Sequence, residues 1–173
     1  MPAKQIIMTI VTKVSLKEYV ILLYRLTYKK PVMKLLLFVA FAMLVWIIRY
    51  WSKILPVPKP DIYQSTTFFL ITIVQPTVIY STIRKNYRSS SNLKEQLKIE
   101  FTTTEIKMHG DSFYTVLEWA KIYKVQELKN WVLIYQNSLS AIIIPKRSLT
   151  GKLREFKHLL HSIAGLKLEL HKN

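Results

Sequence analysis

The feature that most constrains this chain is a pair of long apolar segments held apart by a short proline-rich connector, all between Pro31 and Arg88. The first, Val32 to Ile48, has Lys34 as its single charged residue. A lysine that close to a helix end can carry its ammonium group out to lipid headgroups. The second, Ile62 to Ile83, has no charge at all, and its polar groups are hydroxyls and amides that can bond the backbone or a neighbouring helix. Each segment approaches the ~20 residues a helix needs to cross ~30 Å of hydrocarbon. The expectation is a transmembrane helical hairpin at residues 31–88, with spans near 32–50 and 62–83.

Details inside the hairpin support two helices over one. Pro56, Pro58 and Pro60 favour an extended crossing, and Trp46, Tyr50, Trp51 and Tyr63 sit where an interfacial aromatic belt belongs. Pro76 lies inside the second segment and predicts a kink, with Thr72, Thr77 or the other helix satisfying the freed carbonyl. Gln75 marks either a permeation path or a helix-to-helix hydrogen bond. The second role suits it better, because no acid or arginine accompanies it in the spans.

A formal charge of +16 in 173 residues would point to nucleic acid in a soluble protein. Here its distribution gives a different reading, without a nucleic-acid partner. Residues 1–30 carry six Lys and Arg against Glu18, the connector carries Arg49, Lys53 and Lys59 against Asp61, and Arg84, Lys85 and Arg88 follow the second segment. Basic residues near helix ends favour the cytoplasmic side, so both termini are expected there. With no cysteine, disulfides and thiolate metal sites are excluded. The first residues lack the pattern of a signal peptide or a lipidation motif, which leaves the hairpin as the expected anchor.

Before the hairpin, in residues 1–30, Lys4 to Val14 is rich in β-branched residues and suits a strand. Ser15-Leu16-Lys17-Glu18 has the capping-box pattern that opens a helix. Tyr19, Leu22, Leu23 and Leu26 then share one face, either on the membrane surface or as a core helix under the cytosolic domain. After the Ser89 to Asn92 linker, residues 92–173 read as short strands at Leu97 to Phe101, Glu105 to His109, Ser112 to Leu117, Ala120 to Gln126, Trp131 to Tyr135 and Ala141 to Ile144. Thr150 is placed to cap a last helix with an apolar stripe of Leu153, Phe156, Leu159, Leu160 and Ile163, ended by Gly165. The expected fold is an α+β membrane protein: a transmembrane hairpin plus a small antiparallel sheet closed by a C-terminal helix, the pleckstrin-homology-like plan.

The order of two apolar spans, Glu118-Trp119-Ala120-Lys121-Ile122, a hairpin through Trp131 to Tyr135, and Ala141-Ile142-Ile143-Ile144-Pro145-Lys146-Arg147 before a helix resembles the YcxB-like family of bacterial membrane proteins. The likeness takes in nearly the whole chain. Its most specific pieces are W-x-x-I at Trp119 and Ile122 and I-P-K-R at Ile144 to Arg147; where the family often has an aromatic after the arginine, this chain has Leu149. The resemblance implies a multi-pass protein of the bacterial cytoplasmic (inner) membrane with a small cytosolic domain, and it implies no activity.

A search for chemistry finds little. The three glycines are isolated, so there is no phosphate or dinucleotide loop, and no serine sits in a nucleophile elbow. Glu155 and His158 form one E-x-x-H, but a carboxylate-bridged metal site needs a second such pair. No cofactor, metal or enzymatic activity is expected. Trp119 and Ile122 suit a core more than a ligand platform. Pro145 followed by Lys146 and Arg147, with Lys152, Arg154 and Lys157 on the next helix, forms a basic edge that either binds anionic lipid or an acidic protein surface, or simply sets a turn with solvated charges. The functional expectation is a non-enzymatic membrane-anchored binding module whose partner is membrane lipid or a protein. The alternative is an immunity protein against a membrane-acting toxin or bacteriocin.

Overall fold

The computed structural model describes residues 6–53, 58–138 and 140–170. They fall into two compact units, one made of Met1–Ser15 with Ser90–Asn173 and the other of Leu16–Ser89.

The Leu16–Ser89 unit is helical. Helix α1 (Leu16–Tyr28) starts directly after Ser15, as the capping pattern predicts. Helix α2 (Pro31–Ser52) opens on a proline, whose missing N–H would be unbonded there in any residue, and it closes on Lys53 in the left-handed region at φ 52°. Helix α3 (Ile62–Ser89) opens on a capping box that the sequence reading passed over. The Asp61 carboxylate accepts from the Gln64 N–H at 2.7 Å, and the Asp61 N–H donates to the Gln64 side chain at 3.2 Å.

Pro76 is accommodated by a wider π turn at Leu70–Val74, just before it. The Gln75 N–H reaches back to the Leu70 carbonyl, and the Thr72 and Thr77 hydroxyls donate to Phe68 and Ile73 carbonyls at 2.7 Å each. These threonines thus take part in the backbone bonding around the proline. The Gln75 amide lies 3.0 Å from Met33 Sδ, a helix-to-helix contact. Helix α1 packs along α3, with Tyr19 and Tyr87 rings 5.7 Å apart and the Tyr24 hydroxyl donating to the Pro76 carbonyl at 2.6 Å. Most apolar side chains of α2 nevertheless face outward. Leu35, Phe38 and Phe41 are each more than 60% exposed, and Ala40 is the buried residue of that helix. Both α2 and α3 are long and apolar enough to cross a membrane.

The other unit holds two four-stranded sheets. In the first, β1 (Ile6–Thr12), β2 (Leu97–Thr102), β3 (Glu105–His109) and β4 (Tyr114–Glu118) follow in order, all antiparallel. The N-terminal strand, which the sequence reading grouped with the residues before the hairpin, is therefore a sheet partner of residues beyond it, Thr9 facing Glu100 and Ile10 facing Ile99. Alternation explains the faces: Met8, Ile10, Ile99, Phe101, Ile106 and Met108 point to the core. A short helix, α4 (Ser91–Lys94), precedes β2.

The second sheet runs β7-β6-β5-β8, from β5 (Lys124–Glu127), β6 (Trp131–Tyr135), β7 (Ala141–Pro145) and β8 (Leu168–Glu169). Helix α5 (Leu153–Ser162) lays Phe156, Leu159 and Leu160 into the shared core, where Phe101 meets Phe156 edge-on at 5.1 Å. Two local expectations are corrected. The strand expected over Ala120 to Gln126 is only four residues long, because Trp119–Lys121 forms a 3-10 turn. Thr150 does not cap α5: Lys152 holds the N-cap position, and the Thr150 hydroxyl donates to the Arg147 carbonyl at 2.7 Å, closing the 3-10 turn of Lys146–Leu149.

Candidate functional site

The basic edge forms where β7 ends. Buried Pro145 stops the strand, the 3-10 turn carries Lys146 and Arg147, and α5 carries Arg154 and Lys157. These cations do not converge on an open anion pocket. Lys146 and Lys157 instead grip one buried carboxylate, Glu127, with Nζ to oxygen distances of 2.6 and 3.0 Å. The Glu127 side chain is 3% exposed. An isolated carboxylate there would carry a large desolvation cost, which two hydrogen-bonded ammonium groups offset. The pair links the end of β5 to the turn and to α5.

Arg147 and Lys152 serve the first strand. The Arg147 guanidinium donates to the Lys13 carbonyl at 2.8 Å, and Lys152 Nζ to the Thr9 carbonyl at 3.2 Å. Because β1 is an edge strand, Lys152 supplies a donor to one of its edge carbonyls, and Arg147 ties down the residue that follows the strand. The Ser148 hydroxyl, 3.0 Å from Thr12 Oγ1, adds to the seam. Arg154 is exposed on α5.

Trp119 and Ile122 are 4% and 8% exposed. The Trp119 indole N–H donates to the Thr102 carbonyl at 2.9 Å, and its ring lies 6.2 Å from that of Phe101. Leu149 is fully buried, so an apolar side chain fills the position where the resembled family often has an aromatic. Among the described residues no group of three or more His, Asp or Glu is placed to hold a metal, and His158 and His161 are exposed on α5.

Two carboxylates that the sequence reading did not single out each gather two basic side chains. Glu127 had a legible signal: it shares strand parity with Val125, and both point inward. Glu100, on the outer face of β2, had none, since its partners come from pairing. Lys98 Nζ lies 2.7 Å away and His109 Nε2 3.6 Å away, and the Lys98 hydrogen bond holds the Glu100 carboxyl below its ordinary range.

No curated protein and no solved structure matches the chain. Residues 101–160 match the family model described as YcxB-like protein. That stretch runs from β2 to α5 and includes Trp119, Ile122 and the Pro145 to Arg147 turn, while β1 and the helical hairpin lie outside it. The chain carries a YcxB-like domain over residues 101–160.

Proposed function

We propose that this is a non-enzymatic binding module anchored in the bacterial cytoplasmic membrane, with a pleckstrin-homology-like domain that engages a protein partner in the cytosol. The observation that carries the anchor is the outward apolar surface of α2 and α3, which needs a hydrocarbon solvent. The pairing of β1 with β2 adds a constraint, since strands on either side of the hairpin can meet only if both of its ends emerge on one side. The basic residues at those ends favour the cytoplasm for that side. Two four-stranded sheets closed by α5 support the pleckstrin-homology-like reading.

Protein is favoured over anionic lipid as the partner because four of the five cations of the basic edge already have internal work. Lys146 and Lys157 neutralise Glu127, Lys152 bonds a β1 carbonyl, and Arg147 bonds the Lys13 carbonyl just after β1. The test is affinity purification of the tagged full chain from native membranes, with co-purifying molecules identified by mass spectrometry. A stoichiometric protein is the expected result, and a secreted or pore-forming toxin in that role would make the chain an immunity protein. Recovery with anionic lipid alone would overturn the protein reading, and recovery from the soluble fraction would overturn the anchor.

A further inference from the structure

The outer edge of β5 is closed by a contact unlike any other in the sheets. β8 covers it with two residues and is, among the described residues, the one strand that runs parallel to its neighbour, Leu168 facing Val125 and Glu169 facing Gln126. Parallel pairing is slightly weaker per residue than antiparallel pairing, and a two-residue strand has little of it. Beside that ladder, the Val125 N–H donates to the Lys167 carbonyl at 2.9 Å. Alternate residues Leu166, Leu168 and Leu170 pack on the core.

The polar side of this contact is built in advance on β5 and β6. Lys124 Nζ donates to both Glu169 oxygens, at 2.9 and 3.1 Å, and the Gln126 amide donates to one of them at 2.8 Å. The Tyr135 hydroxyl donates to the Gln126 side-chain oxygen at 3.4 Å, and its ring centre lies 5.2 Å from the Lys124 ammonium. The segment leaves α5 through Gly165 at φ 78°, a left-handed position with no atom close to where a side chain would start.

Resting on the reading of the chain as a binding module, we propose that the β5 edge is a docking site for an extended peptide of a partner protein, and that residues Leu166 to Leu170 are its resident occupant. The recognised peptide carries an acidic residue between two leucine-like side chains, as Leu168-Glu169-Leu170 does. Strand addition supplies the backbone hydrogen bonds, the core the apolar pockets, and Lys124 with Gln126 the acidic specificity. An incoming strand that pairs antiparallel over more than two residues would outcompete the resident one.

Hydrogen exchange on the unaltered full chain in detergent tests the opening. The Val125 amide should exchange at least about tenfold faster than the β6 amides that face β7. Equal protection would overturn the proposal, because a strap that opens only with global unfolding cannot yield to a partner. A fluorescent peptide copying Gly165 to Leu170 tests the site itself. It should bind the Glu169→Lys chain about tenfold more tightly than the unaltered chain, as the weakened strap leaves the edge vacant. Binding should be lost when Lys124→Glu is used instead and regained there by a peptide with lysine in place of its glutamate. A Glu169→Lys chain with an unchanged circular dichroism spectrum that binds no better would sink the idea; if that chain does not fold, Leu170→Ala takes its place. Both assays use purified protein, so their failure leaves the anchored-module reading standing, and the membrane purification decides that reading separately.

Discussion

The two units use the same kinds of side chain in opposite ways. In the helical unit the polar groups turn back on the backbone, as Thr72 and Thr77 do, while Leu35, Phe38 and Phe41 face outward. In the sheet unit the apolar groups fill the core, and charge is held on or just beneath the surface, as with Glu127 between Lys146 and Lys157. Phe38 and Phe41 are thus exposed in one half, while Phe101 and Phe156 are fully buried in the other. The contrast is what the proposed anchor requires, with hydrocarbon around one half and water around the other.

The sharpest way to break that contrast is to place one charge on an exposed aromatic in each half. Phe41→Asp, at 63% exposure, should oppose membrane integration by about 2.5–3.5 kcal/mol, read as protein lost from the carbonate-resistant membrane fraction. Tyr114→Asp, at 57% exposure on β4, should change domain stability by no more than about 0.5 kcal/mol in denaturant unfolding. Equal effects would dissolve the comparison.

Glu127→Gln sharpens it within the sheet unit. The variant leaves two partly buried ammonium groups without their carboxylate and should cost about 1–3 kcal/mol, measured by the same unfolding transition. No change would mean that both lysines reach water freely.

A smaller effect is expected from acid. The folded-state pKa of Glu100 is lowered, first by the hydrogen bond from Lys98, so its stabilising contribution is present at and above the ordinary glutamate range and is lost as the pH falls through the lowered value. Lys98→Met should flatten that part of the stability profile. A profile that keeps its slope would assign the acid sensitivity to other carboxylates.

Much of this architecture was legible because it rests on local pattern. The apolar runs gave the hairpin, and turn residues separated β3, β6 and β7 at or within a residue of their ends. The short β8 was not legible: two residues have no periodicity to read, and Leu168 joins the sheet only because β5 offers an edge. Nor was the placement of β1, whose partner lies beyond the whole hairpin. The cations from Lys146 to Lys157 were visible as a cluster, but a linear sequence does not show that Glu127 arrives between two of them, or that backbone carbonyls of Thr9 and Lys13 take two more.

The pairing of β1 with β2 also sets an order of events during synthesis. Ile6 to Thr12 leaves the ribosome first, yet its partner strand begins only at Leu97, on the order of 80 residues later. At ~5–20 residues per second that is a wait of roughly 4–16 s, during which an unpaired β-branched strand stays exposed while the hairpin is made. If the proposed anchor holds, completion of the first sheet reports that the intervening helices have been delivered with both ends on the same side.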